Sequence, residues 1–402
     1  MAGITGLGTT FNLPNYTGEL FGLTPEDTPL LSAIGGLTGG GQTTSTEFEW
    51  QTYDLRDPSQ RTRVEGATAP TSEERVRSNV TNVVQIHQEK VAVSYTKQAA
   101  TGQLTSPSSA PYQREAGTNP VTSELDWQVQ QSLKSIALDV NWSFINGQYV
   151  KPTTNSTARQ TKGLLASIQT NRIAKGTTVT GASSATDTIT STGHGLSDGA
   201  KIVFTATGAA TNIVAGRVYY VDQIDSNTFK VSTSSGGSAL TLGTATGLSY
   251  IVPSTNALTT DDVDNLLQMA YDNGGISEQA TATLLVNSIQ KRAITKAYAE
   301  AYGKAVPITE ATRTVGGVTV NTVVTDFGTL NVMMDRHVPQ DTIIVCSLEQ
   351  LMPVFLSIPG KGVFFEEPLA KTGASDEVQL YGEIGLKWGN ERTHGVMNGL
   401  KL

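Results

Sequence analysis

Apolar residues recur at Leu125, Val129, Leu133, Ile136, Val140 and Phe144, three or four positions apart, in a stretch running from Asn119 to Val150. That spacing draws one hydrophobic stripe along a helix. Asn119 and Pro120 suit an N-cap followed by proline at the first helical position, and no Gly or Pro intervenes before Gly147. A helix of about 27 residues is predicted, roughly 40 Å long at ~1.5 Å per residue. Gln128, Gln130, Gln131, Asp139 and Asn141 interrupt the stripe too often for a membrane span. The stretch reads as a rigid spine.

Upstream the rhythm is different. Residues 1–45 are rich in Gly, Thr and Pro, and hold one short amphipathic run from Leu23 to Ile34. So little apolar surface predicts an arm that folds against something else. Residues 46–100 alternate as two strands, Thr46 to Tyr53 and Val83 to Tyr95, with period two. Between them Asp54 to Asn79 is polar and densely charged, and a loop of about 26 residues is unusual inside a compact domain. A long projecting hairpin is predicted, with Arg56, Asp57, Arg61, Arg63 and Glu65 in its outer part.

After the spine comes a short apolar element, Lys162 to Ile168. From Gly176 to about Pro253 charge nearly vanishes, and short strands alternate with turns at Gly195, Asp198-Gly199, Asp225 to Asn227 and Gly236-Gly237. A small β-sandwich or barrel follows from that punctuation. Helical rhythm then returns. Thr260 or Asp261 is expected to cap a helix with apolar positions Val263, Leu266, Leu267, Ala270 and Tyr271. A buried strand at Ala282 to Val286 and a helix capped by Asn287 follow. Next come strands at Val318–Val324, Thr329–Met334 and Thr342–Cys346, then a short helix at Leu348–Leu356. The tail alternates at Val378–Leu386 and Gly395–Leu400. The frame is α+β, with an all-β cassette spliced in.

Composition narrows the function. Apolar residues make up 38% of the 402, and with 40 glycines that suffices for a core. Charged residues are only 16%, below the usual quarter. The net charge is −8 and no Lys/Arg cluster stands out, so a grip on nucleic-acid phosphates is not expected. The single Cys346 excludes an internal disulfide and reads as a buried structural thiol. No secretory signal opens the chain, so synthesis in a cytoplasm is expected.

No catalytic constellation survives its context. Gly195-Leu196-Ser197-Asp198-Gly199 fits the nucleophile elbow of hydrolases, but strand-like residues follow where a helix is required. His87, His194, His337 and His394 are scattered, without metal spacing. Glu366-Glu367 and Asp261-Asp262 are adjacent, so their side chains diverge. Neither catalytic, cofactor nor metal residues are assigned, and an assembly role is favoured.

The order of arm, charged hairpin, spine helix and α+β domain resembles the Hong Kong 97-like major capsid proteins of tailed bacteriophages. Glu19 to Ile34 looks like their N-terminal arm. Thr325 to Asp341 is similar to an axial-domain strand pair, and Tyr381 to Leu386 with Asn390 to Leu400 looks like their closing segment. The cassette, with Gly193 to Phe204, Arg217 to Asp222 and Thr228 to Ser232, resembles small β modules spliced into phage virion proteins.

The resemblance implies a division into an N-terminal arm (1–45), an extended hairpin loop (46–100), spine helix and peripheral domain (101–175), an inserted β module (176–253), an axial domain (254–372) and closing strands (373–402). It implies hexamers and pentamers in an icosahedral head enclosing double-stranded DNA without sequence-specific binding. The subunit would be assembled in the host cytoplasm, with no membrane. Portal, scaffolding and decoration proteins are the further partners it allows. The arm would wrap along the next subunit. The hairpin would lie over a neighbour, with Arg56, Asp57, Arg61, Arg63 and Glu65 pairing between subunits. Neither Lys90 nor Lys97 is expected to form a covalent cross-link. The alternatives are another virion part such as a tail or decoration protein, a cellular encapsulin-like compartment, and a hydrolase using Ser197.

Overall fold

The computed structural model describes residues 25–56, 58–97, 124–276, 282–305, 322–370 and 373–402. The chain divides into two compact units, Met1–Asp27 with His87–Leu138 and Phe364–Gly382, and Thr28–Ile86 with Asp139–Val363 and Glu383–Leu402. The spine helix, Glu124–Asn146, belongs to the first unit up to Leu138 and to the second from Asp139. Its predicted cap at Asn119 and Pro120 lies outside the described residues.

In the first unit, strand Phe364–Pro368 pairs antiparallel with Val378 to Gly382. Lys90 is ion-paired to Glu377 at 2.7 Å, and Lys97 to Glu124.

The second unit is built around a six-stranded mixed sheet. Its strand order is Thr322–Thr325, Gly328–Met334, Ala282–Val286, Ile343–Ser347, Gly395–Asn398 and Arg172–Ala174. The central strands Ala282–Val286 and Ile343–Ser347 are buried at every position, as continuous apolar runs predict. Two helices, Thr260–Asp272 and Ser288–Ala305, bury Val263, Leu266, Leu267, Ala270, Ile294 and Tyr298 in that sheet's core. The first of them is capped one residue before Thr260, the earlier of the two expected caps. Thr259 closes a capping box with Asp262, which satisfies both their backbone N–H groups. Tyr271, expected among its apolar positions, is 53% exposed, because the buried arc ends at Ala270.

Six strands between Thr177 and Val252 close into a barrel. Its core is a chain of edge-on aromatic rings, Tyr219, Phe204, Tyr250 and Phe229, with centroids 5.5–6.1 Å apart. The barrel is seated on the rest of its unit through glycines. Gly216 has φ +80°, and a Cβ there would lie 2.9 Å from Cγ of Pro339. Both ends of the barrel segment meet one place: Lys175 N–H donates to Asn398 O and Ser254 N–H to Gly399 O.

Two expectations fail. The predicted helix Leu348–Leu356 is one 3₁₀ turn, Leu348–Gln350, followed by strand Met352–Leu356. Pro353 lacks the N–H a helix needs there, and Val354 and Phe355 favour a strand. The hairpin's return strand is Arg77–Val83, not Val83–Tyr95; Gln85–Ser94 is a separate strand. Arg77-Ser-Asn-Val-Thr-Asn carries one apolar residue, so its periodicity was silent.

Candidate assembly surfaces

The hairpin is a two-stranded ribbon, Glu47–Tyr53 against Arg77–Val83, in unbroken register from Glu47↔Val83 to Tyr53↔Arg77. An isolated two-stranded ribbon is marginal in water, so its root must be held. Phe48 and Trp50 on one face are stacked at 5.9 Å, and Trp50 meets Trp388 edge-on at 4.8 Å. The Trp50 indole N–H donates to Gly389 O at 2.7 Å. On the return strand Asn82 is fully buried. Its amide donates to Thr161 Oγ1, Lys162 O and Leu386 O, and its Oδ1 accepts from the Lys162 N–H. Gly385 lies beneath, where a Cβ would sit 2.7 Å from the Phe48 ring. A cleft of about 710 Å³ opens at this root, lined by Trp50, Tyr53, Leu55, Glu349, Met352 and Asn390 among others.

Beyond the root, where Asp54 still meets Arg392 at 3.4 Å, the ribbon is mostly exposed. Tyr53, Leu55, Val64 and Val76 are 68, 70, 79 and 80% exposed. Of the five charges in the predicted outer part, Asp57 lies outside the described residues, and Arg56, Arg61, Arg63 and Glu65 are exposed. Among the described residues only Arg61 of these is in an ion pair, with Glu73 at 2.8 Å; Arg75 approaches the other oxygen of Glu73 at 3.2 Å. The hydrogen bond from Arg61, its charge and those of Arg56 and Arg75 hold the Glu73 carboxyl below the usual range. Glu73, the hub of this cluster, stands out in sequence only as one of many charges.

The arm is described from Pro25. Its helix, Pro29–Ala33, buries Leu30 and Leu31 within its own unit. The Leu31 N–H donates to Asn141 Oδ1 at 2.9 Å, and the Leu30 N–H approaches Asp335 Oδ2 at 3.5 Å. Asn141, which sequence marks only as a break in the stripe, is fully buried and donates to Asp335 Oδ2 at 2.8 Å. His337 Nδ1 lies 2.8 Å from the Asn141 amide nitrogen and 3.2 Å from Asp335 Oδ1. Burial alone would push the Asp335 carboxyl up; contacts from His337 and Asn141 hold it below the ordinary aspartate value.

Ser197 and Cys346 both sit where their side chains have no nucleophile's setting. Ser197 is exposed in a turn closed by Ala200 N–H to Ser197 O, and strand Lys201–Ala206 follows. Cys346 is fully buried, and burial pushes its thiol up to about 12, away from the thiolate form that reacts. Among the described residues, no three His, Cys, Asp or Glu side chains gather as metal ligands. Nor is any helix among them long and apolar enough to cross a membrane.

The chain carries a rooted ribbon with an exposed tip, a long spine helix and a sheet-and-helix domain. The capsid asymmetric unit of cyanophage A-1(L) matches it with a TM-score of 0.55 over 98% of both chains, at 10% identity. The capsid of the native GTA particle gives 0.49 at 9% identity, over 99% of this chain and 98% of the other. That of cyanophage P-SCSP1u gives 0.47 at 10%, over 97% and 93%. At such identities the first likeness speaks to the fold, and the other two add nothing to it. No curated protein matches the chain.

Residues 3–401 match the family described as SU10 major capsid protein, and the chain belongs to that family. It is a phage major capsid protein of Hong Kong 97-like fold, a self-associating subunit of the head shell, and its place is the virion capsid. That membership selects the head shell over a tail part, a decoration protein or a cellular compartment.

Proposed function

We propose that the shell is closed by the hairpin lying on a neighbouring copy, with hexamers and pentamers built from contacts of this kind. The observation carrying this is the exposed apolar set Tyr53, Leu55, Val64 and Val76 on a rigidly rooted ribbon. Side chains of that size held away from their own core suit burial by a partner. Arg56, Asp57, Arg63 and Glu65 would pair with the neighbour, and Arg61 through its cluster with Glu73. Exposed pairs are each worth about 0–1 kcal/mol, so they set register more than strength.

The subunit performs no catalysis in this reading. It encloses double-stranded DNA without sequence-specific contact, as a net charge of −8 suits, and is assembled in the host cytoplasm. Residues 176–253 act as an inserted module, and the division 1–45, 46–100, 101–175, 254–372 and 373–402 describes the remaining parts. The meeting of Lys175 and Ser254 on consecutive residues of the closing segment supports the insertion, since excising the barrel would leave adjacent ends.

Limited trypsin digestion tests the hairpin contact. Free subunits are expected to be cut at Arg61, Arg63 and Arg75, and assembled shells to resist at those bonds while still being cut elsewhere. Equal cleavage of both forms refutes the proposal.

A further inference from the structure

The two helices on the six-stranded sheet carry opposite charge. Thr260–Asp272 holds four aspartates and no Lys or Arg. Ser288–Ala305 begins with Lys291, Arg292 and Lys296 and has no acidic residue before Glu300. Both bury their apolar arcs in one core, so their remaining faces are turned outward.

Among the described residues only Asp262 of the four aspartates has an ion-pair partner, Lys175. Asp261 and Asp272 are exposed, and Asp326 adds another exposed carboxylate from the turn after Thr322–Thr325. Asp264 Oδ1 is buried without a hydrogen-bond partner, and burial with the charges of Asp261 and Asp326 pushes its carboxyl up. An aromatic pair sits amid these acids: Tyr271, half exposed, with its ring 5.7 Å from Phe327. On the other helix Arg292 is exposed with no ion-pair partner among the described residues, and Lys296, 72% exposed, has only a loose contact to Glu300 at 3.6 Å.

We infer that the acidic face around Asp261, Tyr271 and Asp272 of one subunit seats against the Arg292 and Lys296 face of the next, head to tail, within a ring of the shell. Pairing like faces across a two-fold axis would set aspartate against aspartate, whereas a head-to-tail contact brings opposite potentials together and can close a ring. The Tyr271 and Phe327 rings supply the apolar centre such a contact needs, and a guanidinium packs well on a tyrosine face. The inference rests on the shell reading above and adds which surfaces meet.

Charge reversal separates the two ideas. The full-length protein is assembled as wild type, as Arg292→Glu with Lys296→Glu, as Asp261→Lys with Asp272→Lys, and with all four changes. Shells are counted by electron microscopy and sedimentation, and unassembled subunits are melted by circular dichroism. Each two-site variant is expected to lose shell yield by about tenfold or more, and the four-site variant to recover to within about twofold, with melting unchanged throughout. The inference falls if two-site variants assemble normally, or if the four-site variant does not recover. It also falls if the two-site variants melt lower, because the charges would then act within one subunit. A wild type that forms no shell under any assembly condition instead overturns the shell reading itself, and this inference with it.

Discussion

Replacing Asn141 with alanine should release the arm helix. Leu30 and Leu31 are 0 and 2% exposed, and burying two leucines is worth ~1.5–3 kcal/mol each. Fixing the backbone from Thr28 to Ala33 costs about 1 kcal/mol or more per residue. Leucine burial alone therefore roughly balances ordering, and the polar network decides. Asn141→Ala strands the Leu31 N–H in a buried place, at about 1–3 kcal/mol, and removes a charge-assisted bond to Asp335 of similar size. Of these two bonds only the Leu31 one joins arm to body, so about 1–3 kcal/mol, roughly 5–150-fold, is lost from the opening equilibrium. Hydrogen exchange of peptides spanning 28–34 should accelerate by that factor, while barrel peptides around Tyr250 keep their protection. If 28–34 exchanges within about threefold of wild type while Asn141→Ala remains folded, the network does not hold the arm and the reasoning fails.

Three more outcomes follow from the same geometry. Gly216→Ala should unseat the barrel, because φ +80° is disfavoured for an L-residue by ~1–2 kcal/mol and the new Cβ meets Pro339; faster proteolysis near 174–177 and 253–257 would register it. Acid should weaken the subunit in two stages. His87, buried and pushed down to about 4, and His394, pushed down by burial, stay neutral when folded, so stability present above pH ~6.5 falls as the unfolded chain gains protons. For His87 the loss reaches ~3 kcal/mol by pH 4, and His87→Leu should flatten that part of the melting-temperature profile. Asp335, held low when folded, adds its loss only below the ordinary aspartate range. Trp50→Ala should loosen the hairpin root by up to about 3 kcal/mol, the low end for tryptophan because Trp50 is only partly buried, and lower shell yield, read by electron microscopy, with the barrel's protection intact.

Although Leu133 of the same stripe is 37% exposed, the apolar periodicity of the spine was legible in its second half, where Ile136, Val140 and Phe144 are fully or almost fully buried. So were the central strands, whose continuous apolar runs leave little choice. What escaped was polar. Asn82 and Asn141 are both fully buried and each ties distant segments together, yet a buried asparagine and a solvated one look alike in a hydrophobicity pattern. The strand Arg77–Val83 escaped for the same reason, being held by its ladder to Glu47–Tyr53 rather than by an apolar face. The charged tip was found, but its pairing through Glu73 depends on how the loop returns, and no spacing rule encodes that. Tyr271 fits the helix period and is nonetheless exposed, so period alone overstates the buried arc.

A shell made of many copies places a particular demand on the hairpin, and its construction meets it. If the ribbon were mobile along its whole length, from Glu47 to Val83, each contact would have to offset the ordering of over three dozen residues, at about 1 kcal/mol or more apiece. Exposed ion pairs at ~0–1 kcal/mol could not do so. Here the root is ordered within the subunit before any partner arrives, by Phe48, Trp50 against Trp388, and an Asn82 whose amide is fully engaged. Preorganisation of this kind lets a modest apolar tip add net affinity. The consequence is asymmetric: weakening the tip should slow assembly but leave the subunit's stability unchanged, whereas weakening the root should lower both. A tip variant such as Val64→Ser with Val76→Ser that destabilised the free subunit would contradict this division, because nothing in its own unit covers those side chains.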